Sequence, residues 1–176
     1  MEKFIKLPIQ NEIVSSTTDG IPAGSNDLID STADFVTDGV AVGDFVVDLS
    51  GSGNVATVEA VVDLNNLTLS DSVTVSSGSA YLILSGTNST AELLPISDIL
   101  YVERNNVYSL DIHYNVAGGN NDIITLYHSR LAAGSQAGRY VLQDTIVKAF
   151  SKVWQDVAIE PVNPLNVKFL ATTYTP

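Results

Sequence analysis

From Leu7 to Glu103 the chain carries no Lys or Arg, against 14 Asp and Glu. From Arg104 to Pro176, six basic and five acidic residues nearly cancel. So sharp a break in charge points to two structural units. The competing reading is one β-rich fold with a solvated acidic face. Two units are favoured because composition changes with charge: the acidic stretch is rich in Gly, Ser, Thr, Asp and Val, while the later part holds the one strong helical signal.

Lys3 to Ile9 reads as a first strand, with Ile5, Leu7 and Ile9 alternating against Lys6 and Pro8. Pro8 has no N–H for a ladder, which predicts an edge strand or a strand end. Ser15 to Asp27 is turn-rich, punctuated by Asp19-Gly20, Pro22 and Gly24. Short β-prone runs follow at Asp44–Leu49, Val55–Asp63, Leu67–Leu69 and Tyr81–Leu84. Asp38-Gly39, Gly51–Asn54, Asp63–Asn66 and Ser76–Ser79 separate them. Short strands at this spacing predict a small antiparallel barrel or sandwich. Their Val, Ile and Thr content suits a pleated sheet and disfavours helix.

After a break at Gly86–Thr90, Leu93–Glu103 reads as a strand interrupted at Pro95. Val107–Val116 alternates cleanly: Tyr108, Leu110, Ile112, Tyr114 and Val116 against Ser109, Asp111, His113 and Asn115. Gly118-Gly119-Asn120 turns it into Asp122–Ser129, a hairpin. Matching the apolar faces sets Tyr114 opposite Ile124 and Ile112 opposite Leu126. From Ala137 to Val157 the period changes. Leu142, Ile146, Phe150, Val153 and Val157, widened by Ala149 and Trp154, form one stripe of an amphipathic helix lying on a sheet. Pro161 and Pro164 end it and launch a last strand, Val167–Tyr174. Asp34-Phe-Val and Asp44-Phe-Val echo each other once, too little for a repeat.

The expected fold is therefore mainly β (α+β). An antiparallel β-sheet frame, residues 1–15 and 88–176, carries one amphipathic helix at about 137–157. A small acidic β-barrel or sandwich module, residues 17–86, is inserted into it.

Composition narrows the function. Of 176 residues 45% are hydrophobic and mean hydropathy is +0.20, enough for a core despite a net charge of −12. With no cysteine, disulfides, thiolate metal sites and cysteine nucleophiles are excluded. A pI near 4.2 and eight basic residues disfavour nucleic acid as a partner. No apolar run approaches the roughly 18 residues of a membrane helix, and Met1–Asn11 lacks the apolar centre of a secretory leader, so no membrane partner is expected.

Chemistry is sparse. The hairpin register sets His113 near Thr125 and His128 near Leu110, on opposite faces, so no two-histidine metal site is expected. Each histidine reads as a surface or hydrogen-bonded structural residue. No nucleophile elbow, zinc helix, phosphate loop or dinucleotide fingerprint is present. The carboxylates sit beside Gly, Ser and Asn in turns and read as solvated, not as an acid–base pair. Turn Asp and Asn residues are what Ca²⁺ uses, yet no EF-hand loop exists and Gly118–Asp122 reads as a hairpin turn. The sequence thus assigns no catalytic, cofactor-binding or metal-ligating residue, and no enzyme is expected.

The stretch Ala33–Val47 (ADFVTDGVAVGDFVV), followed by Ala56–Val61, Leu67–Ser70 and Tyr81, resembles a small β module of virion structural proteins from tailed phages and other large DNA viruses. Phe4–Ile9, Leu94–Ile99, the strand pair, Leu142–Ala149 and Trp154 resemble small structural proteins of marine, cyanophage-like viruses. The resemblance implies a virion location and a capsid-decorating or cementing role. Its partners would be the major capsid protein or another virion protein and further copies of the chain. A tail, baseplate or fibre component is equally permitted by it. A Ca²⁺- or glycan-binding surface module is the reading outside it.

Overall fold

The computed structural model describes residues 3–19, 26–49, 54–71, 77–115, 121–129, 135–151, 158–159 and 168–175. In chain order the strands are β1 (Phe4–Thr17), β2 (Asp27–Ile29), β3 (Phe45–Asp48), β4 (Val55–Val61), β5 (Asn66–Leu69) and β6 (Ala80–Pro95). Then come β7 (Ile99–Arg104), β8 (Ser109–Asn115), β9 (Asn121–His128), helix α1 (Ala137–Ser151), β10 (Ala158–Ile159) and β11 (Phe169–Thr175). The protein is mainly β with one helix among the described residues. That helix is not long and apolar enough to cross a membrane.

The chain divides into two compact units. One is contiguous, Gln10–Ser89; the other is discontinuous, Met1–Ile9 with Thr90–Pro176. The contiguous unit holds eleven acidic and no basic side chains, a formal charge of −11. The discontinuous unit holds nine acids and all eight bases, a charge of −1.

In the contiguous unit the strand order is β2-β5-β4-β3-β6-β1. β4 makes the corner. Its first half pairs β3 (Val55, Ala56 and Thr57) and its second half pairs β5 (Val58, Ala60 and Val61), with a register shift between Val58 and Ala60. Such an irregularity bends a strand and lets it serve two sheets. The two ends of the order meet just beyond β1, where the Asp19 N–H and the Thr18 hydroxyl both donate to the Ile29 carbonyl, at 3.0 and 2.7 Å. Leu28, Phe35, Val46, Val58, Leu67, Leu69, Tyr81 and Ile83 fill the interior.

In the discontinuous unit the order is β6-β1-β11-β9-β8-β7, with β10 also beside β1. Leu7, Leu94, Val102, Leu110, Ile112, Leu126 and Phe169 form a core together with Val141 and Leu142 of α1. Ser135 starts the helix, its hydroxyl accepting the Ala137 N–H at 3.2 Å.

Several expectations are corrected. The frame sheet is mixed, not purely antiparallel: β1 pairs β10 and β11 in parallel, as strands far apart in sequence can. β1 is internal in the strand order, not an edge. Among the described pairs, Pro8 falls between those of Phe4 and Ile5 with β10 and that of Ile9 with β11. β1 also runs on through Thr17, and β6 is unbroken from Ala80 to Pro95, so no break occurs at Gly86–Thr90. Gly86 lies within β6 because its neighbour leaves no room for a side chain: a Cβ there would lie 2.2 Å from the Gly43 carbonyl oxygen.

The hairpin register differs by two residues from the expected one: Ile112 faces Ile124, Leu110 faces Leu126 and His113 faces Ile123. A two-residue slip keeps every side chain on its predicted face, so the apolar pattern could not detect it. On α1, Phe150 is 62% exposed, while Gly138, Val141, Leu142 and Thr145 are buried. Steps of four residues advance about 40° per step around a helix, so the Leu142–Ile146–Phe150 ladder leaves the sheet by its third member. Thr145 tolerates burial by donating its hydroxyl to the Val141 carbonyl at 2.7 Å. The expected turn at Gly118–Asn120, the expected helical stretch over 152–157 with Trp154, and Pro161 and Pro164 lie outside the described residues.

Candidate functional site

The acids of the contiguous unit are only partly solvated, contrary to expectation. Asp30, Asp44 and Asp48 are buried. The Asp30 carboxylate accepts from the Ser16 hydroxyl of β1 (2.7 Å), the Tyr81 hydroxyl of β6 (2.7 Å), and the Thr32 N–H and hydroxyl (2.9 and 2.6 Å). Burial pushes its pKa up, but these donors outweigh burial and hold it below the ordinary carboxyl value. The same pairing, after burial itself, pushes the Tyr81 hydroxyl far up. Asp44 bridges its own turn to β6, accepting the Ala41 and Gly86 N–H groups, each at 2.8 Å. Asp34 accepts the Thr37 N–H and hydroxyl, which lower its pKa. These carboxylates act as acceptors for turn N–H and hydroxyl groups, in a unit whose sequence has no Lys or Arg to pair them. Among the described residues, none of the unit's acids belongs to a group of three potential ligands placed to share an ion.

In the discontinuous unit, two features lie on β7, the last strand of the order. The first is a bulge. Ile99 faces Tyr114, but Tyr101 faces His113, so Leu100 is the extra residue. Strict alternation would put Ile99 and Tyr101 on one face. The bulge instead leaves Ile99 packed on the core and turns Tyr101 to the other face, where its ring stacks on His113 (centroids 4.1 Å apart, planes 18°). Between β7 and α1 lies a groove of about 490 Å³, lined by Ile99, Leu100, Tyr101, Val102, Gln143, Ile146, Val147 and Phe150. Leu100, Tyr101, Val147 and Phe150 are exposed there.

The second feature is polar. Past the bulge, Glu103 of β7 stands directly opposite Asp111 of β8, with His113 two residues along. The His113 imidazole is buried and donates from Nε2 to Glu103 Oε1 at 2.9 Å. Asp111 Oδ1 accepts from the Thr125 hydroxyl (2.8 Å) and the Asn105 amide (3.4 Å). One ligand atom from each of Glu103, Asp111 and His113 lies within 4.8 Å of the others. The alternation of β8 displays Asp111 and His113 together. Glu103 joins them only through a register that no sequence pattern announces.

His128 is separate. It shares a face of β9 with Leu126 and Ile124, the opposite one from Ile123, which pairs with His113. Its Nδ1–H donates to the Ser129 carbonyl at 2.8 Å, and its buried Nε2 has no partner among the described residues. Burial, with Arg104 nearby, lowers its pKa against the opposing Ser129 bond, so the ring is neutral.

No protein-family description and no curated protein matches the chain. Among solved structures it is similar to the phage phi92 endosialidase at 16% identity and a TM-score of 0.26. The match covers 72% of this chain and 22% of that one, and a score of this size establishes no shared fold.

Proposed function

We propose that the chain is a non-enzymatic virion structural protein that decorates or cements the outside of a capsid. The observation that carries this reading is the division of surface character between the two units. One has a formal charge of −11 with no cation; the other is near neutral and exposes Leu100, Tyr101, Val147 and Phe150 around an apolar groove. Clustered apolar side chains of this kind are what protein interfaces bury. Dense negative charge is repelled by packaged nucleic acid, which favours an outward position. The sequence resemblance to virion modules supports the same address. In this reading the discontinuous unit docks on a shell protein or on another copy, and the acidic unit faces solvent.

The test is the copy number of this chain in purified particles, by quantitative peptide mass spectrometry. Hundreds of copies in fixed ratio to the major capsid protein are expected. A few to a few dozen copies would move the protein to the tail or baseplate, and absence from particles would overturn the viral reading. Val147→Asp with Phe150→Asp should lower occupancy on particles while leaving the melting temperature of the free protein unchanged.

A further inference from the structure

We propose that Glu103, Asp111 and His113 form a binding site for a divalent transition-metal ion of the Zn²⁺ class, linking β7 to β8. The two carboxylates face each other directly across the strand pair. Like charges so placed repel, and a cation between them removes the repulsion. The third group is an imidazole, which distinguishes this cluster from the acidic turns elsewhere. Ca²⁺ is served by six to eight oxygens, whereas Zn²⁺ and its neighbours take nitrogen with carboxylate oxygen at about 2.0–2.2 Å.

Two of the ligands are held before any ion arrives. Tyr101 stacks on the buried His113 ring and fixes its plane. Thr125 and Asn105 both bond Asp111 Oδ1, orienting that carboxylate from outside the site as metal-bound carboxylates are oriented. Glu103 is the adjustable member, its side chain half exposed and bonded to His113 Nε2. Around a tetrahedral ion ligand atoms stand about 3.3 Å apart, so the His113 Nε2–Glu103 Oε1 pair must open from 2.9 Å, while all three ligand atoms already lie within 4.8 Å of one another. A swing of the Glu103 carboxylate off the imidazole supplies that movement, and a shift to the Nδ1–H tautomer, with the Nε2 proton lost to solvent as Nδ1 takes one up, leaves the Nε2 lone pair to ligate. With three protein ligands, the remaining position goes to water.

The test uses the full chain, stripped with a chelator and titrated with Zn²⁺ or Co²⁺ by calorimetry. One ion per chain is expected, with affinity weakened roughly tenfold or more in Asp111→Asn and in His113→Gln. Asp34→Asn should bind as the parent does, and Ca²⁺ should not compete. Proton NMR of the parent keeps the test independent of variant folding. Substoichiometric Co²⁺ should broaden the ring signals of His113 and spare those of His128. Absence of saturable binding, unchanged affinity in His113→Gln, or broadening confined to His128 would each overturn the assignment.

Discussion

The two units solve the same problem with different materials. The discontinuous unit packs a helix on a sheet, burying Val141 and Leu142 against Leu110, Ile112 and Leu126. The contiguous unit also has an apolar interior, yet its ends and turns are tied by carboxylates accepting from hydroxyls and backbone N–H groups. Without a single Lys or Arg it has no side-chain cation for an internal ion pair. Part of its acidity is therefore architectural: a buried carboxylate with several neutral donors stays charged.

The contrast can be broken at Asp30. Asp30→Ala strands the Tyr81 and Ser16 hydroxyls and should cost about 4 kcal/mol in urea unfolding. A loss below about 1 kcal/mol would show the network to be ornamental. The counterpart, Leu142→Ala on α1, should cost about 3 kcal/mol by the ordinary cavity mechanism. Gly86→Ala, which drives a methyl group at the Gly43 carbonyl, should cost about 2 kcal/mol.

Acid sharpens the comparison by separating the units in pH. Asp30 and Asp34 have lowered folded pKa values. Their contribution is complete above the unfolded carboxyl value of about 3.9 and is lost as pH falls through the lower folded values. His128 also has a lowered folded pKa, but as a base. The unfolded chain takes up its proton first, so stability declines as pH falls below about 6.5 toward the folded value. Amide hydrogen exchange at a series of pH values should therefore show protection falling first around β8 and β9, and only below about pH 4 around β2 and β6. Simultaneous loss from pH 6.5 would contradict the division. The smallest effect belongs to the exposed groove: Phe150→Ser should change stability by no more than about 0.5 kcal/mol.

Much of the strand content was legible, because β3, β4, β5, β8 and β9 each alternate or end at turn residues. What failed did so for identifiable reasons. Gly86 looked like punctuation because sequence does not show that Gly43 approaches it. Pro8 looked like an edge because the change of partner beside it is a long-range event. The acids looked solvated because Asp30 draws its donors from Ser16 and Tyr81, far away along the chain. Of the proposed metal ligands, Asp111 and His113 were visibly on one face. Glu103 was hidden by the Leu100 bulge, which sets the register across β7 and β8.

The pairing of Ile9 with Phe169 bears on the order of assembly during synthesis. The contiguous unit has all its partners once Ser89 has left the ribosome, whereas β1, which has β6 on one side, must wait for β10 and β11 to cover the other side of Phe4–Ile9. Contacts this distant along a chain form slowly, and a strand edge left open meanwhile is exposed to wrong partners. Lys3 and Lys6, the only Lys or Arg residues before Arg104, lie beside and within that waiting segment. Charge there keeps a nascent edge soluble until its mate is made.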